Sequence, residues 1–231
     1  MRLTFAPGAE QDEELARQLA SGLNSPEGRV LGQGQVYLEV PTGVLLRDVL
    51  SEAGWRTDEP WTPLRRDLTE PVEEPGVRVE VIGPGQARLR AALQRAAFDR
   101  STFTDENWHA MASGLPYADA RCLVAYDDED NAVAAVTVWS AGPGKPGLLE
   151  PMGVHRDHRR HGFGVAICVA AASALRELGS SSAAVCTATS NAGGVATYKS
   201  AGFEGLPERW DLSRQARTAT LSPGLPAPQS R

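Results

Sequence analysis

Between Gly147 and Leu178 the chain places three segments in a row: a strand, GLLEPMGV; a basic stretch, VHRDHRRHGFG; and an almost wholly apolar helix, VAICVAAASALREL, which Gly179 ends. His155, His158 and His161 alternate with Arg156, Arg159 and Arg160 before Gly162-Phe163-Gly164 closes the stretch. Glycines at the start of a helix let the backbone come close to a ligand. The free N–H groups of the first turn then point at it, and the helix dipole adds positive potential. Arginines alongside supply charge-assisted hydrogen bonds. The stretch reads as an anion cradle for a pyrophosphate. A metal site fits less well, because the flanking arginines repel a cation. A merely solvated loop leaves its place between a strand and an apolar helix unexplained.

The remaining composition narrows the classes. A chain of 231 residues, 42% hydrophobic and 23% charged, is long enough for one large domain or one and a half ordinary ones. The net charge of -6 disfavours a nucleic-acid binder, so the basic stretch is a local feature of an acidic protein. Cys122, Cys168 and Cys186 are odd in number and far apart, which suggests neither disulfides nor zinc. No apolar run has membrane-spanning length and no signal peptide opens the chain, so the expectation is a cytoplasmic protein with reduced thiols.

From Val77 the periodicity predicts strand, helix, helix, three strands, helix, strand, helix, strand. VRVEVI is the first strand, and PGQARLRAALQRAAF is a helix. TDENWHAMA begins a short helix, with Thr104 as N-cap and Asn107 at the third helical position. RCLVAYDD and AVAAVTVWSA form a hairpin around DEDN. SAAVCTAT is a strand, NAGGVATYKSA a helix closed by Gly202, and RWDL a last strand. The Pro-, Ser- and Thr-rich tail after Arg214 reads as disordered.

The first 70 residues repeat part of this order. VYLEVPTGVLLRDVLSEAGW can be laid on AVCTATSNAGGVATYKSAGF, which sets Ala53-Gly54-Trp55 on Ala201-Gly202-Phe203. MRLTFAP and DEELARQLASGL take the places of LLEPMGV and the apolar helix. The expected organisation is a half copy over 1–70, a linker over 71–76 rich in proline, acid and glycine, a whole domain over 77–213 and a tail over 214–231. The front copy lacks the chemistry: GAEQDE is acidic where the second copy is basic, and Leu50 stands at the position of Tyr198.

The P-loop pattern is absent, and Ile167 sits where the dinucleotide fingerprint needs its last glycine. The spacing Arg159-x-x-Gly162-x-Gly164 resembles the coenzyme A signature of the GCN5-related N-acetyltransferases. Asn191, Tyr198 and Gly202-Phe203 are similar to that family's second signature, with Gly194 in place of its alanine. The element order from Val77 to about Leu212 also resembles the family fold, an α/β fold with a mixed sheet.

The resemblance implies an acetyl-CoA-dependent N-acetyltransferase, an acyltransferase of the non-aminoacyl kind. It would act on a primary amine of a small molecule by direct attack in a ternary complex, with no metal. It implies a pantetheine arm along Met152, Gly153 and Val154, and a pyrophosphate on the N–H groups of Arg159, Arg160, His161, Gly162, Phe163 and Gly164. Asn191 would touch the cofactor, or cap its helix. Tyr198 would protonate the departing thiolate. Glu150 is the best base, being four residues before Val154 and on the same side of the strand. His109 is a weaker one. The acceptor wall would draw on Phe103, Trp108, Tyr117 and Trp139, with cation–π contact to an amine as one reading and core packing as the other. The competing class is a non-catalytic CoA-binding interaction protein, which needs neither Glu150 nor Tyr198. No nucleic acid or membrane partner is expected, and the protein would be a monomer or a homodimer.

Overall fold

The computed structural model describes residues 1–25 and 34–215. In chain order the elements are α1 (Glu13–Asn24), β1 (Gln35–Leu38), α2 (Leu45–Glu52), β2 (Arg56–Asp67), β3 (Arg78–Val81), α3 (Ala87–Ala97), α4 (Asp105–Ala112), β4 (Ala120–Tyr126), β5 (Ala132–Ser140), β6 (Pro146–Val154), α5 (Phe163–Glu177), β7 (Ser182–Ala188), α6 (Ala192–Ser200), β8 (Glu204–Gly205) and β9 (Arg209–Gln215). They form two compact units. One joins the described residues of Met1–Pro60 to Arg209–Gln215; the other is Trp61–Glu208.

The larger unit is built on α5. A helix that is apolar all round has no face to offer water and must be enclosed. Ile167, Cys168, Ala171, Ala172 and Leu175 are fully buried, and the helix packs on β4, β5, β6 and β7. The period of two along β4 divides its residues between two cores. Leu123 and Ala125 join the core around α5. Cys122, Val124 and Tyr126 face the core that α3 and α4 close through Ala87, Leu93 and Trp108. With both faces covered, β4 and β5 read as continuous apolar runs rather than as alternating ones.

Strands β3 to β6 are antiparallel neighbours. β6 and β7 run parallel, and the second half of β2 is antiparallel to β7 from Trp61↔Ala188 to Asp67↔Ser182. The result is a mixed, open sheet. The hairpin expected at DEDN is closed by Asp127, whose carboxylate accepts from the N–H groups of Glu129 and Asn131 at 3.0 and 2.8 Å.

The capping expectation for α4 holds in full. Thr104 Oγ1 accepts from the Asn107 N–H at 3.2 Å, and Asn107 Oδ1 accepts from the Thr104 N–H at 3.0 Å. Thr104→Ala removes one half of this box and is expected to cost ~1 kcal/mol of stability. The midpoint of urea unfolding, at unchanged slope, reports that loss.

The smaller unit packs α1 and α2 around Leu38, Leu46, Leu50, Trp55 and Leu212. β1 is antiparallel to β9, with Val36↔Arg214 and Leu38↔Leu212. Trp55 Nε1 donates to Asn24 Oδ1 at 3.1 Å, and the Arg214 guanidinium stands 4.7 Å over the Trp55 ring.

Three points differ from the sequence expectation. MRLTFAP forms no strand; it makes one bridge, Arg2 to Glu39. β2, which no periodicity signalled, is a continuous strand of 12 residues that contains Pro60 and Pro63. The compact units also cut the chain at Pro60 and Glu208, not over 71–76. Hydrogen bonding is the reason: the end of β2 is held by β7, while β9 returns to β1. The expected disordered tail lies, from residue 216 on, outside the described residues.

Candidate active site

β6 and β7 hydrogen-bond only from Pro146↔Ser182 to Leu148↔Ala184, although β7 continues to Ala188. The cause lies on the other edge of β6. Its pairing with β5 passes from Val138↔Leu149 to Val136↔Met152, so Glu150 and Pro151 together face Thr137. Such a bulge bends the strand that carries it. Trp139 Nε1 donates to the Glu150 carbonyl at 2.7 Å and holds the bulge in place.

Beyond the bulge, β6 and β7 part and a cleft of about 600 Å³ opens. Met152, Gly153 and Val154 form its strand wall; Arg159, Arg160, Gly162 and Gly164 form the loop wall; Asn191, Gly194, Thr197 and Tyr198 form the α6 wall. The two sequence signatures, far apart in the chain, thus face each other across one space.

The loop has a defined shape. Arg160 (φ 69°) and Gly162 (φ 85°) are both left-handed. Alternating backbone of this kind turns successive N–H groups toward one concave side, and the first turn of α5 adds N–H groups without intrahelical partners. An L-residue in this conformation costs about 1–2 kcal/mol, so Arg160 must be held there by its surroundings. Arg156 and Arg159 do much of this. Arg156 donates to the Ala96 and Arg95 carbonyls at 2.8 and 3.0 Å, and Arg159 to the Ala97 carbonyl at 2.8 Å. Two guanidinium groups therefore cap the C-terminus of α3 and fasten the loop to it, where a positive charge is favourable. Arg160 is exposed at the cleft. His158 sits 3.6 Å from Asp127, and His155 accepts from the Asp157 N–H at 3.3 Å, so both face protein groups and not the cleft.

The glycines serve different ends. A Cβ on Gly162 would meet nothing within 4 Å, so its requirement is the left-handed φ. A Cβ on Gly164 would stand 2.9 Å from Thr197 Cγ2, so that glycine sets the approach of α5 to α6.

Tyr198 is 6% exposed, lies edge-on to Phe203 at 5.9 Å and reaches the cleft wall. Burial first, then the neighbouring Cys168, Cys186 and Glu150, pushes its phenol well above the ordinary range. It stays a proton donor throughout neutral pH. Glu150 is exposed at the bulge. Asn191 caps α6, accepting from the Gly194 N–H at 3.1 Å and donating to Thr187 Oγ1 at 3.0 Å, so its capping role is present whether or not a ligand is.

Some expected residues lie elsewhere. His161 is exposed and Phe163 packs on the α5 core; neither side chain lines the cleft, although their N–H groups stand in the loop. Trp108 is 1% exposed and is a core residue. Phe103 and Tyr117 pack half-buried on that core. Trp108, Tyr117 and Trp139 form an edge-to-face ladder at 5.8 and 6.0 Å, and burial pushes the Tyr117 phenol up to about 12. His109 is exposed beside the Trp108 ring. Sequence reasoning missed Ala97 and Phe98, brought to the cleft by α3 without any local signal, and Thr197. The last was findable: it lies one turn after Gly193, whose carbonyl its hydroxyl bonds at 2.8 Å. Among the described residues no His, Cys, Asp and Glu cluster is placed to hold a metal ion, and no helix is long and apolar enough to cross a membrane.

The acetyltransferase (GNAT) family profile matches residues 88–203, just over half of the chain and all of the cleft walls. The chain belongs to the GNAT family. Members of this family are acetyltransferases that use acetyl-CoA. Similar solved structures include a GCN5-related N-acetyltransferase from Sphaerobacter thermophilus, at TM-score 0.62 and 22% identity over 80% of this chain and 60% of that one. A tandem GNAT protein from the clavulanic acid biosynthesis pathway superposes at TM-score 0.66 and 18% identity, over 94% of this chain and 75% of that one. A GNAT-family acetyltransferase from Colwellia psychrerythraea gives 0.62 and 14%, over 91% and 75%. At these identities the likeness is one of fold. The chain spans 60% of the length of the Sphaerobacter protein. Comparison with curated proteins returned no match.

Proposed function

We propose that this GNAT protein transfers an acetyl group from acetyl-CoA to a primary amine of a small molecule, by direct attack in a ternary complex. The observation that carries the reading is the cleft itself, in which the parted end of β6, the left-handed loop at α5 and the buried Tyr198 meet. Acetyl-CoA supplies the activated acyl group. Backbone groups of Met152 to Val154, freed where β6 leaves β7, pair with the pantetheine arm and polarise the acyl carbonyl. The N–H groups from Arg159 to Gly164 receive the pyrophosphate, with Arg160 adding charge at its edge. Glu150, exposed at the bulge, takes the proton of the amine, and Tyr198 donates its own to the departing thiolate. Acetyl-CoA titrated calorimetrically into the protein, followed by an amine screen with thiol release as readout, tests this. No heat at high micromolar acetyl-CoA defeats it.

The front of the chain is, in this reading, a degenerate half copy without catalytic groups. Laying Trp61 on Trp210, beside the repeat already aligned, makes β2 the counterpart of β9, β1 of β7 and α2 of α6. β1 then pairs with β9, and β7 with β2. Val36 faces Arg214, and its counterpart Ala184 faces Arg65, the counterpart of Arg214. Each copy's last strand lies beside the other copy's earlier one, in the same register. A fragment beginning at residue 71 should therefore not fold as a domain. It lacks the partner of β7 and the buried Leu64 and Leu68, 1% and 3% exposed, a loss of ~5 kcal/mol or more. Size exclusion and circular dichroism would report aggregation or loss of a cooperative melt. A well-folded monomer would refute the exchange.

A further inference from the structure

The inward face of α3 carries Ala87, Arg90, Ala91, Leu93 and Ala97. Four of these are apolar. Arg90 is 2% exposed, as buried as the leucine beside it. Arginine keeps its proton in proteins, so this is a permanent charge within a core. Buried charges are ordinarily paired, because removing one from water is costly. Arg90 is not paired in that way. Its Nη1 donates to the neutral Gln94 Oε1 at 2.7 Å, its guanidinium lies 5.9 Å from the Phe103 ring centre, and its buried Nε has no partner among the described residues. In the core that α3 and α4 close, Trp108 Nε1 is a second buried donor without an acceptor among the described residues.

What surrounds Arg90 suggests what is missing. Arg90, Gln94, Leu93 and Ala135 line a narrow crevice beneath α3 together with Ala97, Phe98 and Gly153. The last three also line the main cleft. The crevice is too tight to hold a water molecule, and Phe98, 38% exposed, lines both it and the main cleft. A Cβ on Gly153 would come within 2.7 Å of Ala97 and 2.9 Å of Phe98, so glycine lets the end of α3 close directly onto β6. The unfilled donor thus lies next to the strand on which the acyl group is expected, and the group that completes it is an anion with two acceptor oxygens.

We propose that Phe98 turns aside and Arg90 receives a carboxylate carried by one of the two substrates, either the acceptor amine's own carboxylate or the terminal carboxylate of a dicarboxylic acyl group. This rests on the acetyltransferase reading above and narrows its substrate class. Arg90 is a binding residue here and takes no part in the proton transfers.

Two arms distinguish the sources. In the first, acetyl-CoA turnover is measured on matched amines with and without a carboxylate, such as phenylalanine against phenethylamine and β-alanine against its amide. In the second, dissociation constants are measured for acetyl-CoA, malonyl-CoA and succinyl-CoA. Both arms are run on the parent protein and on Arg90→Met, with Arg90→Lys as the variant that keeps a charge. The parent is expected to prefer the carboxylate by about 30-fold in one arm, the scale of a charge-assisted hydrogen bond. In Arg90→Met that preference falls to about threefold or less, while Arg90→Lys keeps part of it. Because an unpaired buried charge gives way to a methionine of similar volume, the melting temperature of Arg90→Met should hold or rise. A parent that discriminates in neither arm, or an Arg90→Met that keeps the preference, overturns the inference. So does an Arg90→Met that melts far lower with unchanged discrimination, which would make Arg90 structural. Failure of acetyl-CoA to bind the parent would remove the acetyltransferase reading and this inference together. Binding and turnover without carboxylate preference would remove this inference alone.

Discussion

Tyr198→Phe is expected to lower turnover about 100-fold or more while acetyl-CoA affinity stays within about twofold. The substitution removes only a hydroxyl. The ring is packed against Phe203 and 6% exposed, so phenylalanine fills the same space without a cavity. What is lost is a proton donor at the cleft wall. Burial holds the Tyr198 phenol well above its ordinary value, so in the folded protein it remains protonated at and above neutral pH. The alkaline limb of the pH–rate profile should therefore not come from this group. It should persist, scaled down, in the variant. Steady-state rates on any accepted amine, together with calorimetric acetyl-CoA titration, separate the two quantities. A variant with unchanged turnover assigns the proton to water or to the amine.

The second large effect belongs to Gly162. Gly162→Val is expected to weaken acetyl-CoA binding by several kcal/mol, on the scale of losing oriented donors to a charged ligand. The physical route is conformational. Among the described residues no atom lies within 4 Å of where a Cβ would stand, but the residue has φ 85°, which a β-branched side chain resists. Relaxing that φ would turn the loop's N–H groups away from their common side and undo the alternation that Arg160 and Gly162 set up. Gly162→Ala, less resistant to the same φ, should lose less. Dissociation constants for both variants, with circular dichroism as a check on folding, read the effect. A folded Gly162→Val that binds acetyl-CoA like the parent would place the cradle elsewhere.

Much of the GNAT-matching part was legible in the sequence, and the reasons are local. α5 is apolar around its whole circumference, so its burial follows from composition. The Thr104–Asn107 box, the DEDN hairpin and the closing glycines Gly179 and Gly202 are short-range chemistry, settled within a few residues. The signatures Arg159-x-x-Gly162-x-Gly164 and Asn191 to Phe203 work through backbone groups and glycine positions, which spacing alone can express. Their meeting across one cleft follows from the strand and helix between them.

Tertiary structure decided what depends on partners distant in the chain. Which of six basic side chains face a ligand could not be read from their order. Arg156 and Arg159 are spent on the carbonyls at the end of α3, some sixty residues earlier, and His158 on Asp127. The sequence left Trp108 between contact with an amine and core packing, and the core that α4 closes over β4 decided for packing. β2 escaped notice because its prolines and mixed polarity hide a strand whose second half is paired by β7 and β8. Most of all, β9, at the end of the described chain, pairs with β1 near its start, and the end of β2 pairs with β7. Hydrogen-bond partners in a sheet are chosen by space and register, and a sequence records each strand's pattern without recording whose edge it will meet.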